Sequence, residues 1–233
     1  MPDKSVREGS DFHFPFIAAW AFCVVFYFLQ YALRSAPGVM VPELTAVFGL
    51  SALGVSSLIG LYYYTYSTFA ILSGASFDRY GAKFVVPVGL GLLAIGAVLF
   101  GLGSAAAADV GRLFQGAGSA FAFTGAVYLA THGFPARYLA TAIGFTQCFG
   151  MLGGAAGQFA VAPLIHGVLP WQQFWIFGGI AAAILALIVF LVTPGRARYG
   201  RCSRHTNQCS AIPSRIFVAL RPGFCSCRRP LAT

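Results

Sequence analysis

The sequence predicts an all-α membrane protein with six transmembrane helices, and three observations carry that expectation. Of the 233 residues, 58% are apolar and only 9% are charged, against about 25% charged in an ordinary soluble domain. Such a chain cannot cover a water-facing surface, and its mean hydropathy of +0.76 says the same. The apolar residues fall into long runs, and a membrane-crossing helix needs about 20 of them in succession. The basic residues of the short connections fall at one end of those runs only, as expected for a multi-pass protein with its positive loops inside.

Residues 1–13, with Lys4, Arg7, Glu8 and Asp11, read as a cytoplasmic lead. The apolar run that follows, Phe14 to Val41, contains Arg34. It is far longer than the hydrophobic region of a secretory signal, about 7–15 residues, so it reads as a retained span. Counted this way, spans lie near 15–40, 53–76, 84–106, 111–132, 139–165 and 172–193. The expected turns are Pro42-Glu43, the charged stretch Gly74 to Lys83, Ala108-Asp109, Pro135 to Arg137, and Gly167 to Pro170. Short connections make consecutive helices antiparallel neighbours. Lys4 and Arg7, Arg79 and Lys83, Arg137 and the arginines of the tail all fall on one side. The loops near 42–51, 103–110 and 166–171 hold no Lys or Arg, so both termini are expected in the cytoplasm.

In the fifth span, Gly150, Gly153, Gly154 and Gly157 form two overlapping small-xxx-small pairs. Such pairs let helix backbones approach closely in lipid, where no hydrophobic force holds helices together. Beyond Pro194 the character changes. Residues 195–233 hold eight Arg, four Cys and no acidic residue, with no helical or strand period, and are expected to be a disordered cytoplasmic tail. The formal charge of +9 therefore belongs to the tail and is no sign of nucleic-acid binding: before it, seven basic residues face six acidic ones. Cys202-x-x-His205-x-x-x-Cys209 and Cys225-x-Cys227 depart from zinc-finger spacing, and no metal or other cofactor is expected. No nucleophile–base arrangement or phosphate loop points to an enzyme.

The polar residues inside the spans are the candidates for function. A charged side chain at the bilayer centre costs about 2.5–3.5 kcal/mol on insertion scales, so Arg34 should face water, a partner or a ligand. Tyr27, Gln30 and Arg34 stand at i, i+3 and i+7, one helix face, and arginine binds carboxylate or phosphate bidentately. A substrate-binding face of Tyr27, Gln30 and Arg34 is expected, joined by Tyr62 and Tyr66 (i, i+4) from a span that also holds Tyr63 and Tyr64, and by Gln147. The alternative for Arg34 is reaching outward to the interface near Glu43. Gln115, Thr124, Tyr128 and Gln158 are weaker polar candidates, and Asp109 and Arg112, three apart, read as a local ion pair. No acidic residue lies deep in a span, so proton-driven transport would need a carboxylate elsewhere or His132, which sits close to the cytoplasmic edge.

Two motifs carry a family resemblance. Gly74, Asp78, Arg79, Gly81 and Lys83 match in register the Gly-x-x-x-Asp-Arg-x-Gly-x-Lys/Arg loop between helices two and three of the major facilitator superfamily of secondary transporters, with Ser76 where Leu is usual. Arg112, Gln115, Gly116 and Gly118 resemble that family's Arg-x-x-Gln-Gly-x-Gly pattern in helix four, and Phe134-Pro135, Arg137 and Ala140 to Gly144 resemble its loop into helix five. The Gly-Pro pair of its antiporters is absent, since Gly153 is followed by Gly154.

The resemblance implies two inverted three-helix repeats, half of a twelve-helix carrier, with 14–194 as that half and the chain truncated or frame-shifted after Pro194. It implies alternating access for a small solute, gated at Gly74, Asp78, Arg79, Gly81 and Lys83. In this reading Asp78 lies just past a helix end, where the free N–H groups of the next helix can receive it. An organic anion is the expected substrate, with a dipeptide or sugar as alternatives. The expected setting is a bacterial inner membrane, the expected partners being lipid, a coupling proton or other ion for symport, and a second copy or complementary half. A non-transporting six-span protein or an inactive fragment is the rival reading.

Overall fold

The structure, a computed structural model, describes residues 14–161, 163–164 and 170–193. The expectations for the lead and for the Arg- and Cys-containing tail lie outside them. Every long element is helical: α1 (Phe14–Ser35), α2 (Val41–Phe48), α3 (Ala52–Tyr80), α4 (Ala82–Gly101), α5 (Ala105–Gly133), α6 (Ala136–Phe159) and α7 (Trp171–Val192).

Local chemistry sets most boundaries. A 3-10 turn, Ala36–Val39, extends α1, making one apolar segment of 26 residues. The Pro42-Glu43 step, expected as a turn, instead starts α2. Proline fits the first turn of a helix because its missing N–H would be unpaired there in any case. Gly49 ends α2 at φ +63°, a left-handed conformation that glycine adopts without a Cβ penalty. Ser51 caps α3, its Oγ accepting from the Gly54 N–H at 3.2 Å. The turn expected at Ala108-Asp109 also lies elsewhere. Both residues are inside α5, and the break falls at Leu102 to Ser104, with Gly103 at φ +75°.

Among the described residues, five helices are long and apolar enough to cross a membrane by themselves. The sixth segment reaches that only when α2 and α3 are taken together, and these are bent by 108° at their junction. The tyrosines of α3, with Asp78 and Arg79, lower its apolar character. Its 29 residues at about 1.5 Å each nonetheless exceed a hydrocarbon core of about 30 Å.

Helix α5 is the hub, packing on α4, α3 and α1, while α6 lies along α1 and α7 along α4. Glycines make these contacts close. A Cβ on Gly116 would meet Thr65 Oγ1 and the Tyr62 carbonyl of α3, and one on Gly118 would meet the Gly89 carbonyl and the Leu93 nitrogen of α4. Two glycines of one motif thus seat α5 against two different helices. On α6, Gly150 lies on the Tyr27 ring, Gly153 on the Phe28 carbonyl and Gly157 on Ser35 and the Ala32 carbonyl. The fifth-span glycines are the α1–α6 contact, and the Ser35 hydroxyl closes it by donating to the Gly154 carbonyl at 2.9 Å.

Candidate functional site: an arginine among tyrosines

Arg34 occupies the last turn of α1. Its guanidinium carbon lies 5.1 Å from the ring centre of Tyr31, 5.7 Å from Tyr62, 4.8 Å from Tyr63 and 5.9 Å from Tyr66. Its Nε–H donates to the Tyr63 hydroxyl at 3.4 Å. Cation–π contacts of this kind contribute about 0.5–1 kcal/mol each where exposed and more where water is excluded. They hold the cation in place without neutralising it. The side chain turns into this group of tyrosines.

Tyr62 and Tyr66, four apart on α3, stack at 5.9 Å and 14°. Tyr62 is buried, and its hydroxyl donates to Gln30 Oε1 at 3.1 Å, which ties α3 to α1. Gln30 Nε2 is buried and has no partner among the described residues. Tyr27 lies one turn further along α1. Its hydroxyl donates to Gln147 Oε1 of α6 at 2.9 Å and lies 3.3 Å from the Tyr31 hydroxyl. Tyr27, Gln30, Arg34, Tyr62, Tyr66 and Gln147 are therefore contiguous, linked through Tyr31. Tyr64, by contrast, is 76% exposed and outside the group. Sequence reasoning missed Tyr31, although it stands three residues before Arg34 and four after Tyr27, a spacing that places it beside both.

Behind Tyr62 lies a second guanidinium. Arg112 of α5 is fully buried, 5.0 Å from the Tyr62 ring centre and 5.9 Å from that of Phe100. It donates to Gln115 Oε1 at 2.8 Å and to the Ile59 carbonyl at 3.4 Å, and Gln115 Nε2 donates to the Gly96 carbonyl at 3.0 Å. The expected Asp109–Arg112 pair does not form. Both Asp109 and Gln115 stand three residues from Arg112, but only Gln115 lies on the water-free side facing α3 and α4, and Asp109 stays half-buried.

Of the other polar residues, Thr124 shares a hydrogen bond with Ser73 at 3.0 Å. The Tyr128 ring stacks on Phe77 at 5.5 Å, and Gln158 is exposed. His132 lies at the end of α5, its Nδ1 2.8 Å from the Tyr128 carbonyl.

The Gly74 to Lys83 stretch is more helical than a charged turn. Asp78 and Arg79 belong to the last turn of α3, so Asp78 is not past the helix end as expected. One residue, Gly81 at φ +76°, separates α3 from α4. The chain breaks and restarts within that residue, so the unpaired N–H groups of the first turn of α4 begin only four residues after Asp78. Asp78 and Arg79 are exposed, and Gly74 faces open space. Lys83 Nζ lies 5.7 Å from the Phe190 ring near the end of α7.

A family model described as Major Facilitator Superfamily matches residues 23–223. The chain is 30% identical over 216 residues to the 4-hydroxybenzoate transporter PcaK of Pseudomonas aeruginosa, an alignment covering 87% of this chain and 46% of that protein. It is 26% identical over 183 residues to the probable sulfoacetate transporter SauU of Cupriavidus necator, covering 78% and 43%. A crystal structure of a bacterial homolog to the human lysosomal transporter Spinster, inward-facing and unoccupied, superposes with a TM-score of 0.65 at 18% identity. That match covers 85% of this chain and 47% of that one. The chain spans about half the length of the curated relatives it matches.

Proposed function

Because the chain belongs to the Major Facilitator Superfamily, we propose that this multi-pass membrane protein moves a small organic anion by alternating access, with Arg34 as the residue that holds the anion. The observation that carries this reading is the half-buried guanidinium of Arg34 among four tyrosine rings. It is a cation held by aromatic faces, with its charge left for a ligand.

The ligand that suits such a site has one carboxylate for Arg34 and a flat apolar body for the rings. Among the compounds named for the relatives, 4-hydroxybenzoate fits this description better than sulfoacetate, whose two anionic groups would need a second reachable cation. Arg112, the other guanidinium nearby, is sealed behind Tyr62.

The remaining roles follow the family pattern. Gly74, Asp78, Arg79, Gly81 and Lys83 form a gate at the end of the bundle proposed to be cytoplasmic. Arg112, Gln115, Gly116 and Gly118 hold the α3–α4–α5 seam. The six-helix unit of residues 14–194 lines one side of a cavity that a second six-helix unit, from another copy or a complementary half, would complete. Symport with a proton or other ion would draw its titrating group from that second unit or from His132, since the acidic residues described here lie at helix ends or in α2. Both termini would lie in the cytoplasm of a bacterial inner membrane.

The test is equilibrium binding of radiolabelled 4-hydroxybenzoate to the full chain in lipid nanodiscs. Arg34→Gln removes a charge-assisted interaction of about 1.5–3 kcal/mol and should weaken binding about 10- to 150-fold. Binding that is unchanged in Arg34→Gln overturns the assignment.

A further inference from the structure

Resting on that reading of Arg34, we infer that Gln147, oriented by Tyr27, is a specificity-determining residue that reads a neutral hydrogen-bonding group at the end of the substrate opposite its carboxylate. The side chains form a continuous row. The Tyr31 ring lies 5.1 Å from the Arg34 guanidinium, the Tyr31 hydroxyl is 3.3 Å from that of Tyr27, and the Tyr27 hydroxyl is 2.9 Å from Gln147 Oε1.

Tyr27 has one phenolic proton, and the shorter contact gives it to Gln147. That bond fixes the amide: its oxygen is taken, and its Nε2 points away with both protons. The hydrogen bonds among the described residues give this Nε2 no acceptor, although Gln147 is half-buried. Tyr27 itself is held from three sides, by the Tyr31 ring at 4.9 Å, by the Phe123 ring of α5 at 5.5 Å, and by Gly150 of α6 against its own ring. The amide is thus a donor already set in direction before any ligand arrives, and little entropy is lost when it is used.

The spacing selects a ligand length. Tyr27 and Arg34 are seven residues apart on α1, roughly 10 Å along the axis. The cation and the amide beside Tyr27 thus stand about two helical turns apart, which suits a ligand with a carboxylate at one end of a rigid body and a neutral polar group at the other. An aromatic ring as that body would lie against Tyr31. The class is a planar aromatic monocarboxylate whose para substituent accepts a hydrogen bond from Gln147. An unsubstituted ring leaves the amide protons without a partner, which is how the site would discriminate.

The experiment compares binding of benzoate, 4-hydroxybenzoate and 4-methylbenzoate to the full chain in nanodiscs, for wild type, Gln147→Met, Tyr27→Phe and Arg34→Gln. The readout is the affinity ratio between the hydroxylated and methylated ligands, which a packing defect would not change selectively. One neutral hydrogen bond predicts a wild-type ratio of about 2 to 10, falling to about one in Gln147→Met and to an intermediate value in Tyr27→Phe, where the amide loses its anchor. A ratio that survives in Gln147→Met, with all three ligands still dependent on Arg34, overturns the inference and leaves the Arg34 reading in place. Ligands that fail to bind, or that bind equally well to Arg34→Gln, overturn both.

Discussion

Two glycines on neighbouring helices, each part of a family motif, should respond oppositely to the same substitution. Gly74 lies in the interior of α3 and Gly116 in the interior of α5. Alanine is favoured over glycine within a helix by about 0.8–1 kcal/mol, and this gain applies to both. The surroundings differ. A Cβ on Gly74 meets nothing within 4 Å, whereas one on Gly116 would collide with Thr65 Oγ1 and with the Tyr62 carbonyl. A hydroxyl can rotate away, but a backbone carbonyl moves only with its helix. Overpacking of this kind costs about 1–3 kcal/mol, which outweighs the propensity gain. Gly74→Ala should therefore stabilise the chain by up to about 1 kcal/mol and Gly116→Ala should destabilise it by up to about 2 kcal/mol. At about 2–4 °C per kcal/mol for a chain of this size, the two variants should melt several degrees apart in nanodiscs. The displaced carbonyl belongs to Tyr62, so Gly116→Ala should also weaken ligand binding at the proposed Arg34 site. If Gly116→Ala melts with or above Gly74→Ala, the close α3–α5 contact is wrong.

Tyr62→Phe removes the donor to Gln30 Oε1 and leaves both ends of a buried amide unpaired, so thermal unfolding should show a loss of about 1–3 kcal/mol. Asp78→Asn should leave 4-hydroxybenzoate binding within twofold of wild type but slow uptake into proteoliposomes at least tenfold; unimpaired uptake removes Asp78 from the gate. For topology, a cysteine placed at Ser104, in a background with Cys23, Cys148 and the tail cysteines replaced, should react with a membrane-impermeant maleimide from outside intact cells. One at Ala136 should react only after permeabilisation, and the reverse pattern inverts the orientation.

The membrane-crossing elements were legible because a run of about 20 apolar residues has few alternatives to a spanning helix. What was not legible depended on signals with two meanings. Pro42 read as a breaker, yet proline near a helix start is equally at home, and α2 is too short to show a period of its own. Asp109 read as the marker of a turn because it is charged, while the left-handed residue that makes the turn is Gly103. For the site, the face of Tyr27, Gln30 and Arg34 followed from helical spacing alone. The involvement of Tyr31 and Tyr63 did not, because an aromatic residue in a span can face lipid, core or cavity, and only the placement of α3 against α1 decides among them. Arg112 shows the same limit. Asp109 and Gln115 are equidistant from it in sequence, and the helices that surround it make the choice.

The burial of Arg112 also bears on how the chain is made. A lone arginine at the centre of a helix passing into lipid costs about 2.5–3.5 kcal/mol; Arg112, in the first third of α5, would bear part of that cost, and nothing on α5 but Gln115 relieves it. The remaining contacts, the Ile59 carbonyl, the Tyr62 ring and the Phe100 ring, belong to α3 and α4. Those helices are synthesised first, so the surface that receives the guanidinium is already in the membrane when α5 emerges. On this energetics α5 is expected to leave the insertion machinery alongside the α3–α4 hairpin and not as an independent helix. A permuted chain that delivered α5 ahead of its two neighbours would be expected to stall or insert poorly, whatever its final fold could support.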